Sequence, residues 1–222
     1  MKNYSLLVFD WDGTLVDSEA LAVNCIQKAA ANLGYPVPEA ATIQQHFGMC
    51  LEGICEQLFP EKSLALFDEI FSVHDCLYEE NQNGDLFEGT IETLTHLKQQ
   101  GFTLAVATNK PRARFEIDLT ISNTRELFSA TRCPEDGEAK PHPHMLMTLL
   151  EELKHHPQDT LMIGDSVFDM QFASNANVDA LAACYSQNKK ELLAAFNPVK
   201  FISDIQELKH ILNFKNKTTL PL

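Results

Sequence analysis

Val8-Phe9-Asp10-Trp11-Asp12-Gly13-Thr14-Leu15-Val16-Asp17-Ser18 follows directly on the apolar residues Leu6 and Leu7. Leu6-Leu7-Val8-Phe9 reads as a parallel strand buried on both faces. It ends in two carboxylates, Asp10 and Asp12. Strand alternation places both on one side and Trp11 on the other. Gly13 then offers a backbone conformation that a larger residue resists. Adjacent carboxylates repel unless a cation or a shared proton relieves them. Incidental acids at a capped strand end account for a lone Asp-x-Asp-Gly equally well, so the other strand ends decide its meaning.

Outward from this strand the periodicity becomes helical. Asp17 or Ser18 is placed to cap a helix in which Leu21, Ile26, Ala29, Ala30 and Leu33 recur at helical spacing, up to Gly34. Short amphipathic segments are expected over 40–46 and 51–59, then a longer helix over 63–81 that ends at Gln82-Asn83-Gly84-Asp85. No strand is expected between 18 and 85. Beyond that the signal alternates. Helices are expected over 90–100, 111–122, 143–154, 168–177, 189–196 and 204–212. Strands are expected over 102–108, 128–131, 160–164, 180–183 and 200–202, and the tail over 214–222 reads as loose. Such alternation means βαβ units, and so an α/β fold with a doubly wound parallel sheet and an inserted all-helical block. The expected division is a core of residues 1–17 and 86–222 with a helical domain of 18–85.

The chain has 222 residues, 45% of them hydrophobic, enough for a full core and a small second domain. Its 17 basic and 31 acidic residues leave a net charge of −14. This argues against nucleic acid or an anionic membrane as partner, since either needs a concentrated basic face. No apolar run approaches the roughly 20 residues of a membrane span. Met1-Lys2-Asn3-Tyr4-Ser5 carries no signal-peptide pattern, so the cytoplasm is the expected location. Six cysteines without paired spacing are expected to be reduced and mostly buried.

Ligands of open parallel sheets bind beyond the carboxyl ends of the strands. The expected ends supply Asp10 and Asp12, then Thr108-Asn109-Lys110-Pro111, then Gly164-Asp165-Ser166 with Asp169 one helical turn later. Lys140-Pro141-His142-Pro143 lies between the last two. Singly, Thr108 reads as a strand-end hydroxyl, Lys140 as a surface residue and Asp165 as a helix cap. Together they form a carboxylate cluster that a hard divalent cation would relieve. Mg2+ suits it, because it takes oxygen ligands, keeps waters and pairs with phosphate oxygens. The reaction matching such a site is phosphoryl transfer.

These four stretches resemble, in order, the motifs of the haloacid dehalogenase (HAD) superfamily, in its phosphoglycolate-phosphatase-like branch. The resemblance implies a Rossmann-like HAD core, with residues 18–85 as its small helical cap. It implies that Asp10 attacks phosphorus to form an aspartyl-phosphate and that Asp12 is the acid and base. It implies that Thr108 and the Asn109 backbone amide hold phosphoryl oxygens while Lys140 neutralises charge. Mg2+ would sit on the Asp10 carboxylate, the Asp12 backbone carbonyl and Asp165, with Asp169 in or near that shell. The implied function is Mg2+-dependent hydrolysis of a small phosphorylated metabolite, phosphoglycolate-like or a sugar phosphate. The oligomeric state, monomer or homodimer, stays open. Two departures stand outside the chemistry: Ala176-Asn177 where relatives usually carry Gly, and Glu88-Gly89 where they often carry Pro-Gly. Asn tolerates the left-handed conformation required there.

Rival readings fit less well. A two-component receiver domain carries its acid pair and its acceptor Asp on different strands. A dehalogenase does not need the acid at Asp12. A phosphomutase of the β-phosphoglucomutase type is closer, but Phe47-Gly48-Met49-Cys50 is more apolar than a sugar-phosphate cap contact. A non-catalytic phosphate-binding protein would be expected to lack a motif residue, and none is missing. His142, His144, His155 and His156 read as surface residues, the latter pair at a helix C-terminus where His suits the dipole. Cys50 and Cys55 read as core residues of the helical block. Arg112 and Arg114 read as solvated at a helix start.

Overall fold

The computed structural model describes residues 2–81, 86–185 and 190–212. The expected turn at 82–85 and the tail from 214 onward lie outside the described residues.

Six parallel strands form one sheet: β1 (Leu6–Phe9), β2 (Thr103–Ala107), β3 (Ala130–Arg132), β4 (Thr160–Gly164), β5 (Asp179–Ala183) and β6 (Lys200–Ile202). Their order is β3-β2-β1-β4-β5-β6, so the chain works outward in one direction and then restarts on the other side of β1. Side chains alternate between two cores, as a sheet buried on both faces requires. Leu7, Phe9, Val106 and Ile163 join one core with Leu94 and Leu97 of α5 (Thr90–Gln99) and Phe115 of α6 (Arg112–Ile121). Leu6, Val8, Ala105 and Met162 face the other, with Leu146 and Leu149 of α7 (His144–Leu153) and Phe172 of α8 (Val167–Asn175). The doubly wound α/β sheet is as expected.

Between β1 and α5 lie α1 (Glu19–Asn32), α2 (Ala40–Gln44), α3 (Leu51–Leu58) and α4 (Ser63–Asn81). Ile26, Ala29, Ile43, Ile54, Leu66 and Ile70 give this block a cluster of its own. The two chain segments that join it to the sheet pair with each other through an antiparallel bridge, Val16 to Leu86, and the Phe87 amide donates to Leu15 O at 3.0 Å.

Several boundaries depart from the periodicity. Ser18 occupies the N-cap position of α1, but its backbone is helical and its side chain makes no capping bond. The third strand begins at Ala130, opposite Ala105. Phe128 leaves the ladder and packs edge-on against Trp11, with ring centroids 6.3 Å apart. The last helix opens as a 3-10 turn, Ile205–Glu207, because Asp204 Oδ1 accepts from the Gln206 amide at 2.7 Å, and then continues as α10 (Leu208–Ile211) after the short α9 (Lys190–Ala194). Asn177 takes the left-handed conformation, φ 56°, expected where Gly is missing. His155 is no free surface residue. Its ring is half-buried and bonds Ser5 Oγ at 2.9 Å and Thr103 Oγ1 at 3.2 Å, tying the β1 and β2 segments together. Among the described residues no helix is long and apolar enough to cross a membrane.

Candidate active site

Strand order reverses between β1 and β4, and a parallel sheet opens a crevice at such a switch point. Asp10 leaves β1 there, and Asp165 leaves β4. Thr108, Asn109 and Lys110 follow β2 on one side, Lys140 comes from the loop before α7, and Asp169 sits in the first turn of α8.

Lys140 joins the set. Its Nζ lies 2.8 Å from Asp10 Oδ1 and 2.7 Å from Asp169 Oδ1. The Lys140 side chain is 1% exposed, so a surface role is ruled out. Asp169 is held from its other oxygen: Oδ2 accepts from the Ser166 amide at 3.0 Å and from Ser166 Oγ at 2.6 Å. Ser166 and Asp169 thus form a capping box at the start of α8. Thr14 Oγ1 donates to Asp165 Oδ1 at 3.3 Å. Gly13 has φ +75°, and a Cβ there would stand 2.5 Å from Asp165 Oδ2, so Gly is what lets the first loop pass this carboxylate.

Asn109 does more than its backbone suggests. Its Oδ1 accepts from the Lys140 amide at 2.8 Å, and its Nδ2 donates to Gly48 O of the helical block at 2.9 Å. Thr108 is buried, and its Oγ1 accepts from the Lys110 amide at 3.1 Å.

Burial pushes the Asp10 carboxyl up to about 8; Asp169 adds to this, Lys140 opposes it, and Asp165 raises it further. Burial lowers the Lys140 ammonium, but Asp10 and Asp169 outweigh that and hold it above its ordinary value. Asp10, Asp165 and Asp169 are buried, and one carboxylate oxygen from each lies within 4.8 Å of the other two. Three hard oxygen donors with one lysine among them are under-compensated, and their donor set fits a divalent cation such as Mg2+. No other group of three His, Cys, Asp or Glu residues converges in this way among the described residues. Cys55 is buried and Cys50 half-buried in the helical block, and burial raises both thiols.

Asp12 stands outside the carboxylate trio. Lys110 Nζ lies 3.1 Å from Asp12 Oδ1 and 2.8 Å from Asp118 Oδ2, and Asp118 also accepts from Trp11 Nε1 at 2.8 Å. This chain of contacts was not read from the sequence; an Asp inside the expected helix over 111–122, on its inward face, was the available signal. Asp10, Asp12, Asp165, Thr108 and Asn109 share one pocket with side chains of α1, α3 and α4. Arg112 is occupied elsewhere, pairing with Glu116 and Asp136, whereas Arg114 lines the pocket. His142 is exposed and pairs with Glu138.

The sequence profile of the haloacid dehalogenase-like hydrolases matches residues 7–183. The chain belongs to the haloacid dehalogenase-like hydrolase family. It is 31% identical over 215 residues to a phosphoglycolate phosphatase of Vibrio cholerae serotype O1, covering 92% of this chain and 94% of that one. It is 28% identical over 218 residues to the pyrophosphatase PpaX of Bacillus cereus strain G9842, covering 96% and 98%. The crystal structure of a predicted phosphoglycolate phosphatase from Haemophilus somnus 129pt superposes with a TM-score of 0.82 at 26% identity, covering 95% of this chain and 99% of that chain. The family assignment thus agrees with the resemblance read from the four motifs.

Proposed function

We propose that this hydrolase is a Mg2+-dependent phosphatase of small phosphate monoesters, working through an aspartyl-phosphate on Asp10. The observation that carries this reading is Lys140, buried between Asp10 and Asp169 with Asp165 beside them. A lysine so placed neutralises the nucleophile and the phosphoryl group as charge moves between them.

The Asp10 and Asp165 carboxylates and the Asp12 backbone carbonyl would hold Mg2+, with Asp169 orienting Lys140 at its edge. When bound, the ion supplies the positive charge that keeps Asp10 ionised and offsets phosphoryl charge. Asp10 Oδ attacks phosphorus while the Thr108 hydroxyl and the Asn109 amide N–H hold the phosphoryl oxygens. Asp12, steadied by Lys110, gives its proton to the departing oxygen. Asp12 then takes a proton from water as that water opens the aspartyl-phosphate.

Residues 18–85 act as the cap of this site, hinged at the Val16–Leu86 bridge, with the Gly48 carbonyl seated on Asn109. Closure excludes bulk water during the first step. The apolar lining contributed by Phe47 and Met49 weighs against the mutase alternative, which needs polar contacts to a second sugar-phosphate. The names of the Vibrio and Bacillus relatives agree with phosphate release as the outcome.

Hydrolysis of p-nitrophenyl phosphate is the test. Turnover with Mg2+ present and its loss in Asp10→Asn are expected. Protein inert under these conditions, or an Asp10→Asn variant of unchanged rate, overturns the reading.

A further inference from the structure

The pocket above Asp10 has a volume of about 200 Å3 and two chemically different walls. The core wall carries the reactive set, Asp10, Asp12, Asp165, Thr108 and Asn109. The facing wall comes from α1, α3, α4 and the loop before α3, with Leu21, Ile26, Phe47, Met49, Ile54 and Phe71 presented to the cavity. Ile26 and Ile54 are buried in the cap's own cluster, so this wall is backed by packed side chains.

Carboxylates outnumber cations in the lining, with Asp10, Asp12, Glu19 and Asp165 against Lys110 and Arg114. Lys110 is committed to Asp12 and Asp118 at 3.1 and 2.8 Å. Arg114, the other cation of the lining, lies with its guanidinium carbon 4.9 Å from the Phe71 ring centre. Glu19 adds a carboxylate on the cap side, its Oε1 accepting from Gln44 Nε2 at 2.7 Å. A leaving group bearing its own carboxylate or phosphate would lose its hydration beside Glu19 and an aliphatic wall, a costly exchange for an ion. The apolar wall favours a different occupant, since an alkyl chain or ring set against it is removed from water at a gain of about 25 cal/mol per Å2.

We infer that the substrate is a phosphate monoester with an apolar leaving group, a short alkyl or single aromatic ring, and not an anionic one such as glycolate or a second phosphate. This rests on the phosphatase reading and narrows it. The phosphoryl group passes from the ester oxygen to Asp10, the apolar alcohol leaves with the Asp12 proton, and water then frees inorganic phosphate. A single methylene in an apolar pocket is worth roughly 10–200-fold in discrimination.

The experiment compares kcat/KM for phenyl phosphate and hexyl phosphate with that for phosphoglycolate and pyrophosphate, all with Mg2+. The two apolar esters are expected to lead by about tenfold or more. In Met49→Lys, which sets a cation in the half-buried apolar wall, this lead is expected to shrink or reverse. Phosphoglycolate or pyrophosphate matching the apolar esters on the wild-type protein overturns the inference and leaves the phosphatase reading standing. So does an unchanged ratio in a folded Met49→Lys variant. Competition by phenylphosphonate and phosphonoacetate gives a second measure on wild-type protein alone, with the aryl compound expected to inhibit more strongly and the reverse order overturning the inference. Failure to release phosphate from any of the four substrates overturns the phosphatase reading itself.

Discussion

Trp11 Nε1 donates a 2.8 Å hydrogen bond to Asp118 Oδ2, and the same carboxylate oxygen lies 2.8 Å from Lys110 Nζ, the ammonium that holds Asp12. The indole between the two strand-end acids thus supports one of them from behind. Removing Lys110 leaves Asp12 unsteered, and the damage should depend on how much acid help the leaving group needs. In Lys110→Met, kcat/KM for an alkyl phosphate is expected to fall by roughly 10–100-fold, a partial loss of the roughly 100–10,000-fold that general-acid catalysis contributes. The loss on p-nitrophenyl phosphate, whose leaving group departs unaided, should be much smaller. Equal losses on both would mean that Lys110 serves the fold and not Asp12.

Trp11→Phe isolates the support itself. Phe keeps an aromatic ring against Phe115, which packs edge-on at 5.0 Å, but offers no donor to Asp118. A buried charged acceptor that loses one hydrogen bond costs about 1–3 kcal/mol. Urea unfolding should report that loss with an unchanged m-value.

The α/β alternation, the sheet class and the strand-end positions of the candidate residues were legible because each rests on local chemistry. Strand periodicity places Asp10, Thr108 and Asp165 at carboxyl ends, and Gly13 or Asn177 declares a backbone conformation by residue type. What stayed hidden was non-local. Asp118 reads as an ordinary helical acid until the fold sets it under Trp11 and beside Lys110. Asn109 offers its backbone to any reader, but its side-chain bonds to Gly48 and Lys140 exist only once the helical block is seated on the core. His155 reads as exposed because nothing nearby in sequence reveals that Ser5 and Thr103 meet it.

Mg2+ should stabilise the fold as well as support turnover. An ion that binds only the folded chain adds about 2.7 kcal/mol at a hundred times its Kd. Titration with MgCl2 should therefore raise Tm, and a chelator should reverse the shift along with activity. Asp165→Asn removes one of the three buried carboxylates and should blunt the Tm response. A full response in that variant would place the ion elsewhere.

Gly48→Ala probes cap seating. Gly48 has φ +95°, and an added Cβ would stand 2.5 Å from Ser166 Cβ, at the capped start of α8. The left-handed backbone alone costs roughly 1–2 kcal/mol for a residue with a side chain. The helical block must therefore lift from the Asn109 contact, and, if it closes the site as proposed, kcat/KM should fall by about tenfold or more. The helical block keeps its own cluster, so far-UV circular dichroism should be unchanged.

His155 sets a pH dependence of stability away from the site. Burial lowers its pKa below the ordinary 6.5, Asp159 opposes this, and His156 adds to the lowering. A base whose folded pKa is depressed binds fewer protons when folded than when unfolded, in the window between the two values. Well above 6.5 the imidazole is neutral in both states and its contribution is fully present. As the pH falls below 6.5 the unfolded chain takes up the proton first, and stability is lost until the folded pKa is passed. The bonds to Ser5 Oγ and Thr103 Oγ1 make the β1–β2 segments the place where that loss is felt. Urea midpoints measured between about pH 7.5 and pH 5 should decline in wild-type protein, and His155→Gln should flatten the part of the curve below 6.5. Parallel curves for the two proteins would assign the acid sensitivity to other groups.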